Sequence, residues 1–409
     1  MSIESKPDST YISHKRFDKE ICVSKLALQS ISVYPIKSSS GIHLSNSWVE
    51  ELGLSFDRRF IVANDKGEMF TARTEPRLCL IQANLTSTGI NITAPGMPIL
   101  SIEYAKFSSE YQNVTVWASD INAQIGAEHY NQWFSRYLEQ PCQLLFFGEN
   151  SERFVKNKNS QVGFADGYPI LLISQQSLAQ LNQKLGTDNR VTMDQFRPNL
   201  VIDGCDSFAE DTWKHIRIGE VEFEVTSPCS RCIFTTIDPK TAEPNNQQEP
   251  LTTLKTFRQV ESGDVMFGQN LVPLNQGQIK LSDKVEVIET KQAPTFVIKQ
   301  NKQIKATANQ GTEQMKINKK PKINFSSWNK EVVGNNKATI LDQGEDAGLI
   351  LPYSCRGGMC GRCKIKLESG DVEQLATDGL SGEDIENGYV LACSAIPKSD
   401  IVLSKAPRS

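Results

Sequence analysis

The sequence predicts a mainly β chain that ends in a small α+β unit, and three observations carry that expectation. Short alternating apolar and polar runs, broken by turn residues, dominate the chain before Thr290. Composition then shifts over Thr290 to Lys322, where Lys, Gln, Asn and Thr displace aromatic and branched side chains. Beyond that break, short strands, one capped helical turn and four spaced cysteines share the last stretch of chain.

A length of 409 residues suggests two or three domains. The net charge of -4 and pI near 5.8 supply no general attraction to nucleic acid or anionic membrane. Met1 to Gln29 mixes Lys, Arg, Glu and Asp without the apolar core of a secretory signal, and the longest apolar runs, such as Ile170 to Ile173, are strand-sized. The expectation is a cytoplasmic protein with no membrane span. In a reducing compartment, the cysteines grouped around C-x2-C runs read as metal sites, and single ones such as Cys79, between Leu78 and Leu80, read as core filler.

In chain order, Glu128 to Leu138 reads as a helix whose Trp133, Phe134 and Tyr137 belong to the core. Ser174 to Leu185 reads as a second helix, with Ser174 as its cap and Leu178, Leu181 and Leu185 on one face. His215 to Val225 reads as a hairpin, because Ile216 and Ile218 alternate with polar residues, Gly219-Glu220 turns the chain, and Val221, Phe223 and Val225 resume the alternation. Residues 290–322 read as a flexible linker with a root-mean-square span of about 30 Å, the short apolar run Phe296 to Ile298 leaving a surface strand pair as the alternative. After it, Ala338-Thr339-Ile340-Leu341 and Lys364-Ile365-Lys366-Leu367 read as strands, and Ser381 to Ile385 as a capped helical turn. Asp378, Glu383, Asp384 and Glu386 form an acidic patch that reads either as a dock for a basic reductase or as a plain solvated face.

Cys355, Cys360 and Cys363 are spaced C-x4-C-x2-C, and Cys393 follows about thirty residues on, which is the ligand spacing of a plant-type 2Fe-2S cluster. Gly357, Gly358 and Gly361 let the backbone wrap closely around such a cluster and turn amide groups toward its sulfurs. A zinc ribbon is the alternative, but it calls for a second close pair where this chain has only Cys393. The surrounding pattern resembles the β-grasp fold of plant-type ferredoxins.

A second C-x2-C run, Cys229-Ser230-Arg231-Cys232, follows the expected hairpin. Alone it fits half a zinc site, a redox dithiol or two buried thiols. Thiols flanking a serine and an arginine also suit a soft, high-valent metal whose organic part carries a phosphate.

Several motifs in order carry a wider resemblance. Cys229-Ser230-Arg231-Cys232 with Thr235-Thr236-Ile237-Asp238-Pro239, Phe196-Arg197-Pro198-Asn199, and Glu249-Pro250-Leu251-Thr252-Thr253-Leu254-Lys255 resemble the MOSC domain. Tyr34-Pro35-Ile36-Lys37-Ser38, Asp57-Arg58-Arg59-Phe60 and Thr71-Ala72-Arg73-Thr74-Glu75-Pro76-Arg77-Leu78 resemble the β-barrel domain that precedes it. With the C-terminal ferredoxin, the order is similar to YcbX-type proteins, relatives of the amidoxime-reducing component. The implied organisation is an N-terminal extension over 1–27, a MOSC N-terminal β-barrel over 28–110, a β-barrel-like MOSC domain over 111–289, the linker over 290–322, and the ferredoxin domain over 323–409.

The resemblance implies a molybdenum cofactor, a molybdopterin held between the barrel and MOSC parts, with the Cys232 thiolate on molybdenum and Cys229 as an unbonded neighbour. The implied pterin and phosphate contacts are Lys37, Ser38, Arg59, Arg197, Asn199, Ser230 and Arg231, and guanidinium forks with amide donors suit a phosphate and a polar pterin. Read singly, Arg59 or Arg197 fits a surface ion pair, and Asn199 a turn. Gly167-Tyr168 departs from the hydroxyl pair that relatives place before the Pro169 strand, leaving Tyr168 to narrow or line the pocket. Asp238 is a candidate proton donor, although a turn before Pro239 is the preferred reading.

The implied activity is reduction of a small N-hydroxylated substrate, with electrons relayed through the 2Fe-2S cluster to molybdenum. No Gly-x-Gly-x-x-Gly strand-turn-helix provides for a dinucleotide, so an external NAD(P)H-dependent flavoprotein reductase is the expected donor. The alternative is a carrier of molybdenum cofactor or persulfide sulfur with a redox ferredoxin module, although nothing resembles the desulfurase domain that accompanies MOSC in sulfurases. An oxygenase component is disfavoured because the four histidines are dispersed.

Overall fold

The computed structural model describes residues 26–117, 119–261, 263–297, 320–349, 351–353, 361–375, 377 and 379–406. Sheets dominate. An eight-stranded mixed sheet runs in the order Val285–Thr290, Trp213–Ile218, Val221–Ser230, Met266–Pro273, Ile170–Ser174, Leu200–Asp203, Ala27–Val33 and Ile42–Leu44. Its core combines Leu28, Ile31, Ile170, Leu172, Phe223 and Leu271, inward-facing positions of strands that alternate in burial. The expected hairpin forms, with His215 opposite Glu224 and Ile218 opposite Val221.

A second sheet, Phe60–Ala63, Gln143–Phe146, Ser119–Ile125 and Tyr111–Val116, takes strands from both sides of residue 110. A three-stranded sheet of Gln82–Leu85, Gly89–Thr93 and Leu100–Glu103 completes this half with helix α1, Glu128–Leu138. Helix α1 buries Tyr130, Trp133, Phe134, Tyr137 and Leu138, spaced at the helical period that puts them on one face. Phe60, Tyr104, Phe107 and Phe146 pack with ring centroids 5.1 to 5.9 Å apart. Burying each such side chain contributes roughly 1.5–3 kcal/mol.

Helix α2, Gln175–Leu185, is capped by the Ser174 hydroxyl, which accepts from Ser177 N, and it buries Leu178, Leu181 and Leu185 as its pattern requires. Beside it lies the short helix α3, Leu251–Lys255. Among the described residues, no helix is long and apolar enough to cross a membrane.

The C-terminal unit has its own core around Ile323, Phe325, Ile340, Leu351, Ile365 and Leu403. Its five-stranded sheet runs Lys330–Val333, Lys322–Phe325, Ile401–Lys405, Lys364–Ser369 and Tyr389–Leu391. The expected strand at 338–341 is corrected here. Ile340–Asp346 is a helix, α4, capped by Thr339, whose side chain accepts from Asp342 N. Four residues are too few to separate period 2 from the start of a helical face, and the Thr-x-x-Asp cap was the deciding signal. Ser381 caps helix α5, Gly382–Glu386, through a capping box with Asp384.

Candidate functional site

The first wall of the site comes from the turn after strand Ala27–Val33. Lys37 N donates to Phe60 O at 2.8 Å and Phe60 N to Pro35 O at 3.0 Å, which ties the Tyr34 to Lys37 segment to the barrel strand. Ser38 then takes a left-handed φ of 71°. The Lys37 ammonium is buried and donates to Phe164 O at 2.7 Å and Asp166 Oδ1 at 2.6 Å. Burial pulls its pKa down to about 8, against the opposing pull of Asp166.

Asp166 is held from several sides. Trp117 Nε1 donates to its Oδ1 at 3.1 Å, and the Arg73 guanidinium lies 3.8 Å from the Trp117 ring centre. Arg153, buried, donates to Gly163 O at 3.0 Å, Ala165 O at 2.5 Å and Asp166 O at 2.7 Å, so one side chain shapes the whole loop.

Arg58, Arg197 and Asn199 form the next group. Arg58 donates to both Asp57 oxygens, at 2.9 and 2.7 Å, and to Asn199 Oδ1 at 3.1 Å. Asn199 Oδ1 also accepts from Leu171 N at 3.1 Å, and its Nδ2 donates to Ser32 O at 3.1 Å. The amide of Asn199 therefore joins three parts of the chain. Arg197, at φ 54°, donates to Ser39 O and lies 4.2 Å from the Tyr34 ring. Burial, then neighbouring Arg58, lowers its pKa to about 10, and burial raises the Tyr34 hydroxyl to about 12. Arg59 is paired with Glu50.

The C-S-R-C run closes the third side. Arg231 N donates to Val265 O at 2.8 Å, continuing the pairing of strand Val221–Ser230. Its Nη1 donates to Cys229 Sγ at 3.0 Å and its Nη2 to Phe196 O at 2.6 Å, while its buried Nε has no partner. Burial raises the Cys229 thiol above its ordinary range, and Arg231 opposes that. Cys232 is half-buried and precedes the 3-10 turn Ile233–Thr236, its carbonyl accepting from Thr235 N at 3.0 Å and Thr235 Oγ1 at 2.9 Å. Ser230 Oγ donates to Asp264 Oδ1 at 3.1 Å.

Between the barrel half and the C-S-R-C half lies a cavity of about 470 Å³, lined by Tyr34, Cys79, Gln82, Asp194, Arg197 and Phe234 among others. Arg197 enters its wall, and Phe234 stands on the turn that Cys232 begins. Arg197 and Arg231 form no ion pair among the described residues, so the half-buried Arg197 guanidinium and the buried Arg231 with its free Nε remain for an anionic, polar group. A phosphate-bearing pterin fits this donor set.

Of the residues expected from sequence, Arg197 lines the cavity, and Lys37, Ser38, Arg231 and Cys232 stand on the segments described above without lining it. Arg59 is engaged by Glu50, Asn199 by backbone groups, and Ser230 by Asp264. Asp238 shapes a turn, its Oδ1 accepting from Lys240 N at 2.7 Å. Tyr168 packs against Val155, Val162, Ala165 and Val272. Asp166, Arg153, Trp117 and Arg58 were missed; Arg58 stood inside a motif already noted, but Arg153 and Trp117 carried no local signal.

In the C-terminal unit, Cys363 and Cys393 are buried with sulfurs 3.1 Å apart. That exceeds a disulfide bond of ~2.05 Å and suits two thiolates facing one metal. Gly361 has φ 70°, and a Cβ there would meet Gly379 O at 2.7 Å, so the ligand loop passes where only glycine fits. Cys355, Cys360, Gly357, Gly358 and Asp378 lie outside the described residues.

Models of three families match the chain: the MOSC N-terminal beta barrel domain over residues 25–141, the MOSC domain over 159–286, and the 2Fe-2S iron-sulfur cluster binding domain over 325–398. The chain is 34% identical to human mitochondrial amidoxime-reducing component 1 over 284 residues, which cover 63% of this chain and 81% of that protein. It is 32% identical to mitochondrial amidoxime reducing component 2 of Rattus norvegicus over 280 residues, with 63% and 82% covered. Among solved structures, a ferredoxin reductase of carbazole 1,9a-dioxygenase matches 21% of this chain and 26% of its own at 30% identity and a TM-score of 0.20.

Proposed function

The chain belongs to the amidoxime-reducing component family of MOSC proteins, molybdenum-cofactor oxidoreductases, here with a 2Fe-2S domain, and we propose that it reduces small N-hydroxylated compounds with electrons relayed through that domain. The balance is R–NH–OH plus two electrons and two protons giving R–NH2 and water. When bound, the molybdenum cofactor supplies the two-electron chemistry that cleaves the N–O bond, and the iron-sulfur cluster supplies electrons singly.

The observation that carries this reading is the grouping of half-buried Cys232 with Arg231, whose Nε is buried and unpartnered, beside a cavity that Arg197 enters. Cys232 would hold the metal. Arg197 and Arg231 would hold the anionic part of the pterin, as forks without competing carboxylates. The Lys37 ammonium, tied to Asp166, adds a buried positive charge that persists at neutral pH. Arg153 keeps the loop bearing Asp166 from relaxing.

The electrons come from outside the chain, and an NAD(P)H-dependent flavoprotein reductase is the partner proposed. The test is molybdenum, iron and pterin content of the holoprotein, followed by turnover of an N-hydroxylated compound with a chemical reductant. Cys232→Ser should keep its iron and lose molybdenum and turnover. Turnover that survives in that variant sinks the assignment.

A further inference from the structure

Residues 291–297, which follow strand Val285–Thr290, stay on the MOSC half of the molecule. Lys291 N donates to Thr212 O at 2.7 Å and its ammonium to Val225 O at 2.7 Å, and Val297 N donates to Gln259 O at 2.7 Å. The Phe296 ring centre lies 4.0 Å from the Arg258 guanidinium, and the Phe208 ring centre lies 4.3 Å from it. That guanidinium cannot move away. Arg258 is buried, donates to both Asp211 oxygens at 2.6 and 3.0 Å and to Met266 O at 2.9 Å, and Gln269 also donates to Asp211 at 2.7 Å. An aromatic ring over a desolvated, immobile cation is a strong form of the cation–π contact.

The place where this segment ends matters more than the fact that it is held. Gln259, which receives Val297, is bridged to Val265, and Val265 O accepts from Arg231 N at 2.8 Å. Three neighbouring backbone steps thus separate Val297 from the C-S-R-C run, a span of roughly 15 Å at about 4.8 Å per step. The described chain therefore reaches Val297 within roughly 15 Å of Cys229–Cys232.

We propose that Phe296 and Arg258 form an anchor that fixes where the 2Fe-2S domain is tethered, next to the Cys232 loop, and so sets the rate at which electrons pass from cluster to cofactor. Phe296 is a positioning residue. The proposal rests on the relay reading above. Releasing the anchor lengthens the connection by about a third, which dilutes one module relative to the other.

The test uses full-length holoprotein with both cofactors, comparing wild type, Phe296→Ala and Phe296→Tyr. Hydrogen exchange reads the Val297 amide. Single turnover starts with cluster and cofactor both prereduced: benzamidoxime takes two electrons from the cofactor and two protons to give benzamidine and water, and the reading is the reoxidation of the cluster as its single electron passes to the cofactor so oxidised. In Phe296→Ala the amide should lose protection and cluster reoxidation should slow roughly 1.5-fold, with molybdenum and iron content unchanged. Phe296→Tyr should restore both. An unchanged rate, or a slower rate with the amide still protected, overturns the anchor while the relay stands. A wild-type cluster that benzamidoxime does not reoxidise overturns the relay and the anchor together.

Discussion

The Nη1 of Arg231 lies 3.0 Å from the sulfur of Cys229, not of the half-buried Cys232 three positions after it. The C-S-R-C run thereby separates its two thiols, one turned onto a guanidinium and one, without that contact, proposed to hold the metal. Cys229→Ser should retain molybdenum, whereas Cys232→Ser should lose it. Arg231→Lys keeps a charge but loses the fork that reaches both Cys229 and Phe196 O, and should lower molybdenum retention by roughly ten-fold. Elemental analysis after dialysis reads all three.

Lys37 gives the site a pH limit. Its folded pKa is about 8, below the ordinary lysine range, so the site loses this positive charge as pH rises through that value. The sign for stability is opposite, since the unfolded chain still binds the proton there and folding gains as pH rises from the folded toward the unfolded value. Asp166→Asn removes the group that opposes the depression. Cofactor retention in that variant should then fail at a lower pH than in wild type, as followed by pterin release across a pH series. An unmoved midpoint would remove Lys37 from the anion site.

Asn199 should act on folding before it acts on binding. Its buried amide serves Arg58, Leu171 N and Ser32 O. Asn199→Ala leaves Leu171 N and Ser32 O without this partner at about 1–3 kcal/mol each, Arg58 keeping Asp57, and should lower the urea midpoint of the MOSC half. Loss of cofactor with wild-type stability would mark it as a direct ligand contact instead.

Glu210 is a buried carboxyl whose Oε1 accepts from Ser174 N at 3.1 Å and Ser177 Oγ at 2.7 Å, while Oε2 has no partner. Burial raises its pKa, so the folded chain keeps a proton that the unfolded chain releases, and stability falls as pH climbs from the ordinary carboxylate range through the raised value. Glu210→Gln removes that slope. Melting temperatures between about pH 4 and pH 8 should flatten in the variant.

Much of the architecture was legible because it is local. The helices over Glu128–Leu138 and Gln175–Leu185 announce themselves through burial period and, in the second, a serine cap, and the hairpin through alternation about Gly219-Glu220. The segment 338–341 shows strand alternation in sequence, and four residues are too few to mark Thr339 as the helix cap that it is. Motif order brought Lys37, Arg197, Arg231 and Cys232 into view, but the groups that hold them stayed hidden. Arg153 reaches loop carbonyls ten or more residues away, and Trp117 reaches Asp166 across 49 positions.

By itself, the sequence determined the order of three modules, the cysteine spacings and the chemical kind of each site, because thiol spacing, capping and burial period act over a few residues. Only the tertiary structure decided that Arg231 turns to Cys229, that the Asn199 amide is engaged by Arg58 and by backbone, and that residues 291–297 stay bound to the MOSC half. Those outcomes depend on which strands become neighbours and which charges lose their water, and both are properties of the packed chain.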